Sequence, residues 1–146
     1  MKIISQVFKN NERIPKIYTC DGENINPPLE FYEIPKNAKS LCLIVDDPVA
    51  PLGTFTHWIV WNIPPTITEI KENSIPIGGS QGFTSFKKIG YGGPCPPKGS
   101  EHKYYFRLYA LNDMVDLPDA ANEEEAKDAI KMNVIAKAEL IGKYSR

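Results

Sequence analysis

Proline and glycine punctuation constrains this chain more than any other feature. Thirteen prolines and ten glycines are spread through 146 residues. Long unbroken helices are thereby disfavoured, and many turns must join short elements. The pattern predicts a mainly β fold with long Pro/Gly-rich loops. The most informative stretch is Asp46-Asp47-Pro48-Val49-Ala50-Pro51-Leu52-Gly53-Thr54-Phe55-Thr56-His57-Trp58. It leaves one apolar run, turns through two prolines and a glycine, and enters another. A carboxylate heads the turn and an imidazole closes it. The second of only two histidines, His102, closes another turn of the same kind.

Leu41–Val45 shows no polar alternation, as expected of a central strand buried on both faces. Phe55–Ile63 is a second such run, and a tight antiparallel pairing of the two follows. With period two, Asp47 shares a side with Leu41, Leu43 and Val45. The same parity groups His57 with Ile59 and Trp61. Further strands are predicted at Lys2–Phe8, Ile14–Thr19, Leu29–Tyr32 and Tyr104–Leu111, and 66–88 reads mostly as loop. Asn122 followed by Glu123-Glu124-Glu125 is an N-cap with acids suited to a helix start. Ala126, Ala129 and Ile130, then Val134, Ala138 and Ile141, keep helical spacing. Short C-terminal helices, broken near Asn133, are the expectation. No repeat or linker interrupts the chain, so residues 1–146 read as a single domain.

Composition closes off several function classes. A net charge of −1, from 17 basic and 18 acidic residues, gives no footprint for nucleic acid, and no aromatic-basic cluster is apparent. No apolar stretch approaches a membrane span, and charges by position 9 leave no signal-peptide core, so a cytoplasmic home is the default. Cys20, Cys42 and Cys95 form an odd set without metal-site spacing, which argues against a disulfide framework. Cys42 belongs to a buried strand, and Cys20 reads as loop packing.

The chemistry-bearing residues are Asp47, His57 and His102. A lone histidine at a strand start is more often structural or solvated than functional. Two after matching turns, with a carboxylate at the head of one, make a shared site the sharper reading. An Asp47 contact would fix an imidazole tautomer and hold it near or above neutrality. Backbone N–H groups of Gly90-Tyr91-Gly92-Gly93 could then help to bind a phosphate or carboxylate. Two enzymatic readings use the same residues. One is a two-His-one-carboxylate metal site; the other is a Cys95–His102 nucleophile–base pair oriented by Asp47, giving a hydrolase or lyase. Cys95 lies between prolines, with no helix N-terminus to activate it. Trp58, Trp61 and the tyrosines at 104, 105 and 109 read chiefly as core.

Asp47-Pro48-x-Ala50-Pro51, then His57-Trp58 and Gly90-x-Gly92-Gly93-Pro94-Cys95-Pro96-Pro97-x-Gly99-x-x-His102-x-Tyr104, resemble the two signature regions of the phosphatidylethanolamine-binding protein family. Tyr18-Thr19-Cys20-Asp21-Gly22 and Ala138-Glu139-Leu140-Ile141-Gly142-x-Tyr144 are similar to its bacterial and archaeal, Raf kinase inhibitor-like branch. The resemblance covers nearly the whole chain. It implies a β-sandwich with a central antiparallel sheet and a small anion pocket at one sheet end. Asp47, His57, Pro96, His102 and Tyr104 would surround that pocket, with Gly92 and Gly93 in its wall. The implied ligand is phosphate, a carboxylate or a phosphorylated head group, with no cofactor and no resident metal. The implied partner is a kinase or protease that the protein inhibits or modulates, and homodimers are common in the branch. Two positions depart from the signatures: Val49 replaces a second Asp, and Lys103 replaces an Arg. Val49 removes a carboxylate that would meet a head-group amine, and Lys103 keeps charge without the bidentate fork.

Overall fold

The computed structural model describes residues 1–146 as a mainly β protein built from two sheets and one α-helix. In chain order the strands are β1 (Lys2–Ile4), β2 (Glu12–Arg13), β3 (Leu29–Tyr32), β4 (Ser40–Asp47), β5 (Phe55–Ile63), β6 (Glu69–Ile70), β7 (Ser80–Gln81), β8 (Glu101–Leu111) and β9 (Val134–Ser145). Helix α1 spans Glu123–Ile130. A small sheet has the order β1-β3-β6, and a six-stranded sheet the order β2-β9-β8-β4-β5-β7. All pairings are antiparallel except β2 with β9.

β4 is buried at every position because both faces of the large sheet are covered. Leu41, Leu43 and Val45 join Trp58, Val60, Phe106 and Leu108 in a core that meets Ile3, Leu29, Phe31 and Ile70 of the small sheet. Cys42 and Ile44 face the other way, with Ile59, Trp61 and the helix residues Ala126 and Ile130. The sandwich therefore has a small sheet on one side of the large one and a helix on the other. Burying apolar surface on both faces is the main stabilising contribution to such an arrangement.

Asp46 points toward the helix side, fully buried. There the Arg107 guanidinium donates to its carboxylate, and Lys127 Nζ stands 3.6 Å from its second oxygen. Lys127 also pairs with Glu123 at 2.7 Å, and Thr56 Oγ1 donates to Glu123 at 2.9 Å. Burial and the neighbouring Glu123 carboxylate push Asp46 above the usual carboxylate range, against the pull of Arg107 and Lys127. This charged cluster fastens α1 to the sheet.

Three expectations are overturned. The predicted second C-terminal helix is β9, paired with β8 along its whole length. Its inward residues Ala138, Leu140, Gly142 and Tyr144 alternate with Lys137, Glu139, Ile141 and Lys143. Open edge groups on β8 demand a partner, and that demand outweighs the helix propensity of Ala, Lys, Glu and Leu. Ile14–Thr19 is no strand: Pro15 starts a 3-10 turn at Lys16–Tyr18, with Tyr18 and Thr19 N–H donating to Pro15 and Lys16 carbonyls. Cys20 and Cys95, read as unlinked, are joined in a disulfide across 75 residues. Cys42 alone is free, and burial raises its thiol to about 12. The first strand is also shorter than predicted, ending at Ile4.

Candidate functional site

Asp47 ends β4 and His57 lies near the start of β5, with a Pro/Gly loop between them. Gly53, at φ 103°, closes the turn by donating its N–H to Ala50 at 3.0 Å. The β4–β5 register shifts in this region: Val45 faces Trp58, whereas Asp46 faces Thr56. His57 is therefore the extra residue of a β-bulge. The bulge turns its ring away from the Ile59 and Trp61 face that simple alternation assigns it. It stacks edge-on against Tyr104 (ring centroids 5.1 Å apart) and Phe86 (5.4 Å). Bulge geometry, not strand parity, brings His57 to the side of Asp47.

β8 supplies the other half. His102 and Tyr104 share one side of that strand, and His102 Nδ1 meets Asp47 Oδ2 at 2.6 Å. The other Asp47 oxygen accepts the Val49 N–H at 3.1 Å, so both lone-pair ends of this buried carboxylate are engaged. His57 makes a different contact. Its Nδ1 donates to the Gly92 carbonyl at 2.7 Å. Burial holds this imidazole down at about 4 despite the Gly92 contact and Asp47, so it is neutral at physiological pH. The expected Asp47 contact is not made by His57, whose neutrality follows from desolvation outweighing a carboxylate already committed to His102. Tyr104 is also pushed up by burial and by Asp47, so its hydroxyl keeps its proton.

A cavity of about 430 Å³ opens over these residues. Asp47, His57, Pro96, His102 and Tyr104 all line it, with Ala50, Pro51, Leu52 and Thr54 on one rim and Pro97 on the other. Phe55, Ser85 and Phe86 complete the wall. Gly92 and Gly93 stand behind the wall and do not line the cavity. Gly92 N–H donates to the His57 carbonyl at 2.9 Å, and Gly93 N–H to Asn24 Oδ1 at 2.7 Å. Neither amide is free to hold a ligand. Their small size is needed instead: a Cβ would fall 2.2 Å from the Phe86 ring at Gly92, and 2.2 Å from the Tyr18 carbonyl at Gly93.

The second loop is pinned from outside by the Cys20–Cys95 disulfide, by Cys20 N–H donating to Pro94, and by Tyr91 hydroxyl donating to the Tyr18 carbonyl. Cys95 thus has no thiol to act as a nucleophile, which removes the Cys95–His102 pair as an enzymatic reading. Asp47, His57 and His102 likewise form no three-ligand metal cluster, since Asp47 and His57 direct their polar atoms at different partners.

A family model described as phosphatidylethanolamine-binding protein matches residues 4–145, signatures and pocket included. The chain belongs to the phosphatidylethanolamine-binding protein family. A UPF0098 protein of Pyrococcus horikoshii is 50% identical over 98% of the chain and 76% of its own length. One from Methanothermobacter thermautotrophicus is 46% identical over 100% of the chain and 99% of its own. Two solved structures share the fold. The homolog of this family from Chlamydia trachomatis superposes with a TM-score of 0.94 at 39% identity, over 99% of this chain and 97% of that one. YbcL of E. coli, described as a new member of the mammalian family, gives 0.93 at 31% identity, over 99% and 98%. The mainly β architecture is thus that of the bacterial and archaeal members of the phosphatidylethanolamine-binding protein family.

Sequence reasoning for this family member missed Phe55, Ser85 and Phe86. Phe55 was legible only as a strand residue, and Phe86 lies in a stretch with no periodic signal. Val49, one of the two departures, is exposed on the rim loop, and Lys103 points out to solvent beside the site.

Proposed function

We propose that the protein is a non-enzymatic binding module whose cavity takes a small oxyanion, either free or as a phosphorylated head group. The observation that carries this reading is the Asp47–His102 contact at 2.6 Å, set beside His57 and Tyr104 in a partly apolar cavity. Nδ1 of His102 is held by the carboxylate, and in the protonated ring Nε2–H is then a free donor facing the cavity. The Tyr104 hydroxyl offers a second donor. Phe55, Phe86 and the prolines give the cavity an apolar wall, whose low polarity strengthens both contacts. No metal cluster or free thiol stands among the lining residues, and the Ser85 hydroxyl accepts the Thr56 N–H at 2.8 Å, so the lining favours binding over a hydrolase or lyase.

The rim extends the reading to a protein partner. Val49 and Leu52 are exposed, Leu52 fully, on the loop that borders the cavity. A kinase or protease docking on this rim would cover them and sense whether the cavity is filled. The chain has no helix long and apolar enough to cross a membrane. A cytoplasmic address fits this reading where the cell interior sustains disulfides, as in hyperthermophiles; elsewhere the disulfide favours an oxidising compartment.

Titration of inorganic phosphate at pH 6, followed by the ring resonances of both histidines in NMR, tests the proposal. His57 and His102 should shift together and saturate with one binding constant. If millimolar phosphate leaves both unmoved, the oxyanion reading fails.

A further inference from the structure

Resting on the oxyanion reading above, we propose that the Cys20–Cys95 disulfide is a site of thiol–disulfide exchange whose redox state sets how tightly the cavity holds its ligand. The bond is part of the cavity wall. Cys95 lines the cavity beside Pro96 and Pro97, and the same segment runs through Gly99 into β8, where His102 stands. Little else ties that wall down. Three of the four residues at 94–97 are prolines without an N–H, and the Cys95 N–H reaches no backbone carbonyl. The Pro97 carbonyl accepts only from Ser100, 3.2 Å from its N–H and 2.7 Å from its hydroxyl, which is a local turn. The Gly93 amide is fixed on Asn24, and the Gly99 amide on the Arg146 carbonyl. Between them one hydrogen bond leaves the segment, from Cys20 N–H to the Pro94 carbonyl at 3.1 Å. That bond and the disulfide both end on Cys20.

Cys20 is the fixed post. The neighbouring Thr19 is fully buried, and its Oγ1 donates to the Lys16 carbonyl at 2.8 Å and accepts the Asp21 N–H at 3.2 Å. The Asp21 carboxylate accepts the Tyr144 hydroxyl at 2.6 Å and Arg146 Nε at 3.1 Å, which fastens this turn to the end of β9. Cutting the disulfide therefore frees the wall and leaves Cys20 in place. The bond is open to attack from solvent, since Cys95 is exposed and Cys20 half-buried. A thiolate of a small or protein dithiol forms a mixed disulfide with one sulfur and expels the other, which takes up a proton. The second thiol of the reductant then closes its own disulfide and releases the first cysteine. Two electrons and two protons pass to Cys20 and Cys95, and the dithiol leaves oxidised. Cys42 takes no part: it is buried on the helix side of the large sheet, so the two cysteines can re-pair only with each other. Neither belongs to the core clusters that hold the sheets and helix together, so the reduced chain keeps its fold.

Calorimetry of inorganic phosphate on the oxidised protein, and on the same protein reduced with dithiothreitol and kept free of oxygen, tests the inference. Oxidised protein should bind at least about tenfold more tightly, and reoxidation should restore its affinity. By linkage, saturating phosphate should protect the bond by the same factor in a dithiothreitol redox buffer; tenfold corresponds to about 30 mV. The double variant Cys20→Ala, Cys95→Ala should bind as the reduced protein does and ignore the reductant. Equal affinity in the oxidised and reduced proteins overturns the inference and leaves the oxyanion reading intact. Collapse of the β4 and β8 amide resonances on reduction also overturns it, because the bond would then support the whole fold and not the wall. Failure of phosphate to bind the oxidised protein overturns the oxyanion reading itself.

Discussion

His57 shows how much a single residue's placement depends on a local irregularity. Strand parity grouped it with Ile59 and Trp61, yet one inserted residue at the β4–β5 register shift swings it to the face of Asp47. The sequence carries no direct mark of that bulge, so the pairing of Asp47 and His57 was legible as proximity but not as geometry. Asp47, Pro96, His102 and Tyr104 were legible because the signatures fix both their spacing and their strand boundaries. Gly92 and Gly93 were legible as necessary, though their role is close packing and not donation. Burial of His57 also makes a stability prediction. The unfolded imidazole takes up its proton near pH 6.5, the folded one only near 4. Between those values the unfolded state binds more protons, so stability is full above pH 6.5 and is lost as pH falls. Urea unfolding of wild type should lose roughly 2–4 kcal/mol from this group between pH 7 and pH 4. His57→Asn should show a flatter acid limb; an equally steep one would assign the proton uptake elsewhere.

At the scale of elements, β3 and β5 were readable to the residue, and β4 nearly so, because continuous or alternating apolar runs sit between clear breakers. The helix start was equally clear, and Asn122 and Glu125 do form a reciprocal capping box. β9 was misread because three of its inward positions are small: Ala136, Ala138 and Gly142 present little hydrophobic signal among strong helix formers. Gly142 is the telling residue. A Cβ there would lie 2.4 Å from Ile14 Cγ1 and 2.9 Å from the Phe8 ring. Gly142→Ala should therefore cost about 1–3 kcal/mol through overpacking; a neutral effect in thermal unfolding would mean β9 sits further from the β2 segment. The disulfide was invisible for a different reason: three cysteines in one sequence do not disclose which two approach. Closing 75 residues in the unfolded chain, the Cys20–Cys95 bond should contribute about 2–4 kcal/mol. Denaturation with and without a dithiol reductant measures it, and an unchanged midpoint would count against the bond.

For the whole molecule, the two sheets and the helix serve to bring two distant loops to one sheet end. β4 and β5 deliver Asp47 and His57; β8 delivers His102 and Tyr104; the disulfide and the Tyr18–Tyr91 contact hold the second loop in place. The central claim is that these parts form one oxyanion site with His102, held by Asp47, as its principal donor. Calorimetry of inorganic phosphate at pH 6, comparing wild type with His102→Ala, tests it most directly. Loss of a hydrogen bond to an ionised ligand should weaken binding by at least about tenfold. Equal affinity in the two proteins would contradict the claim.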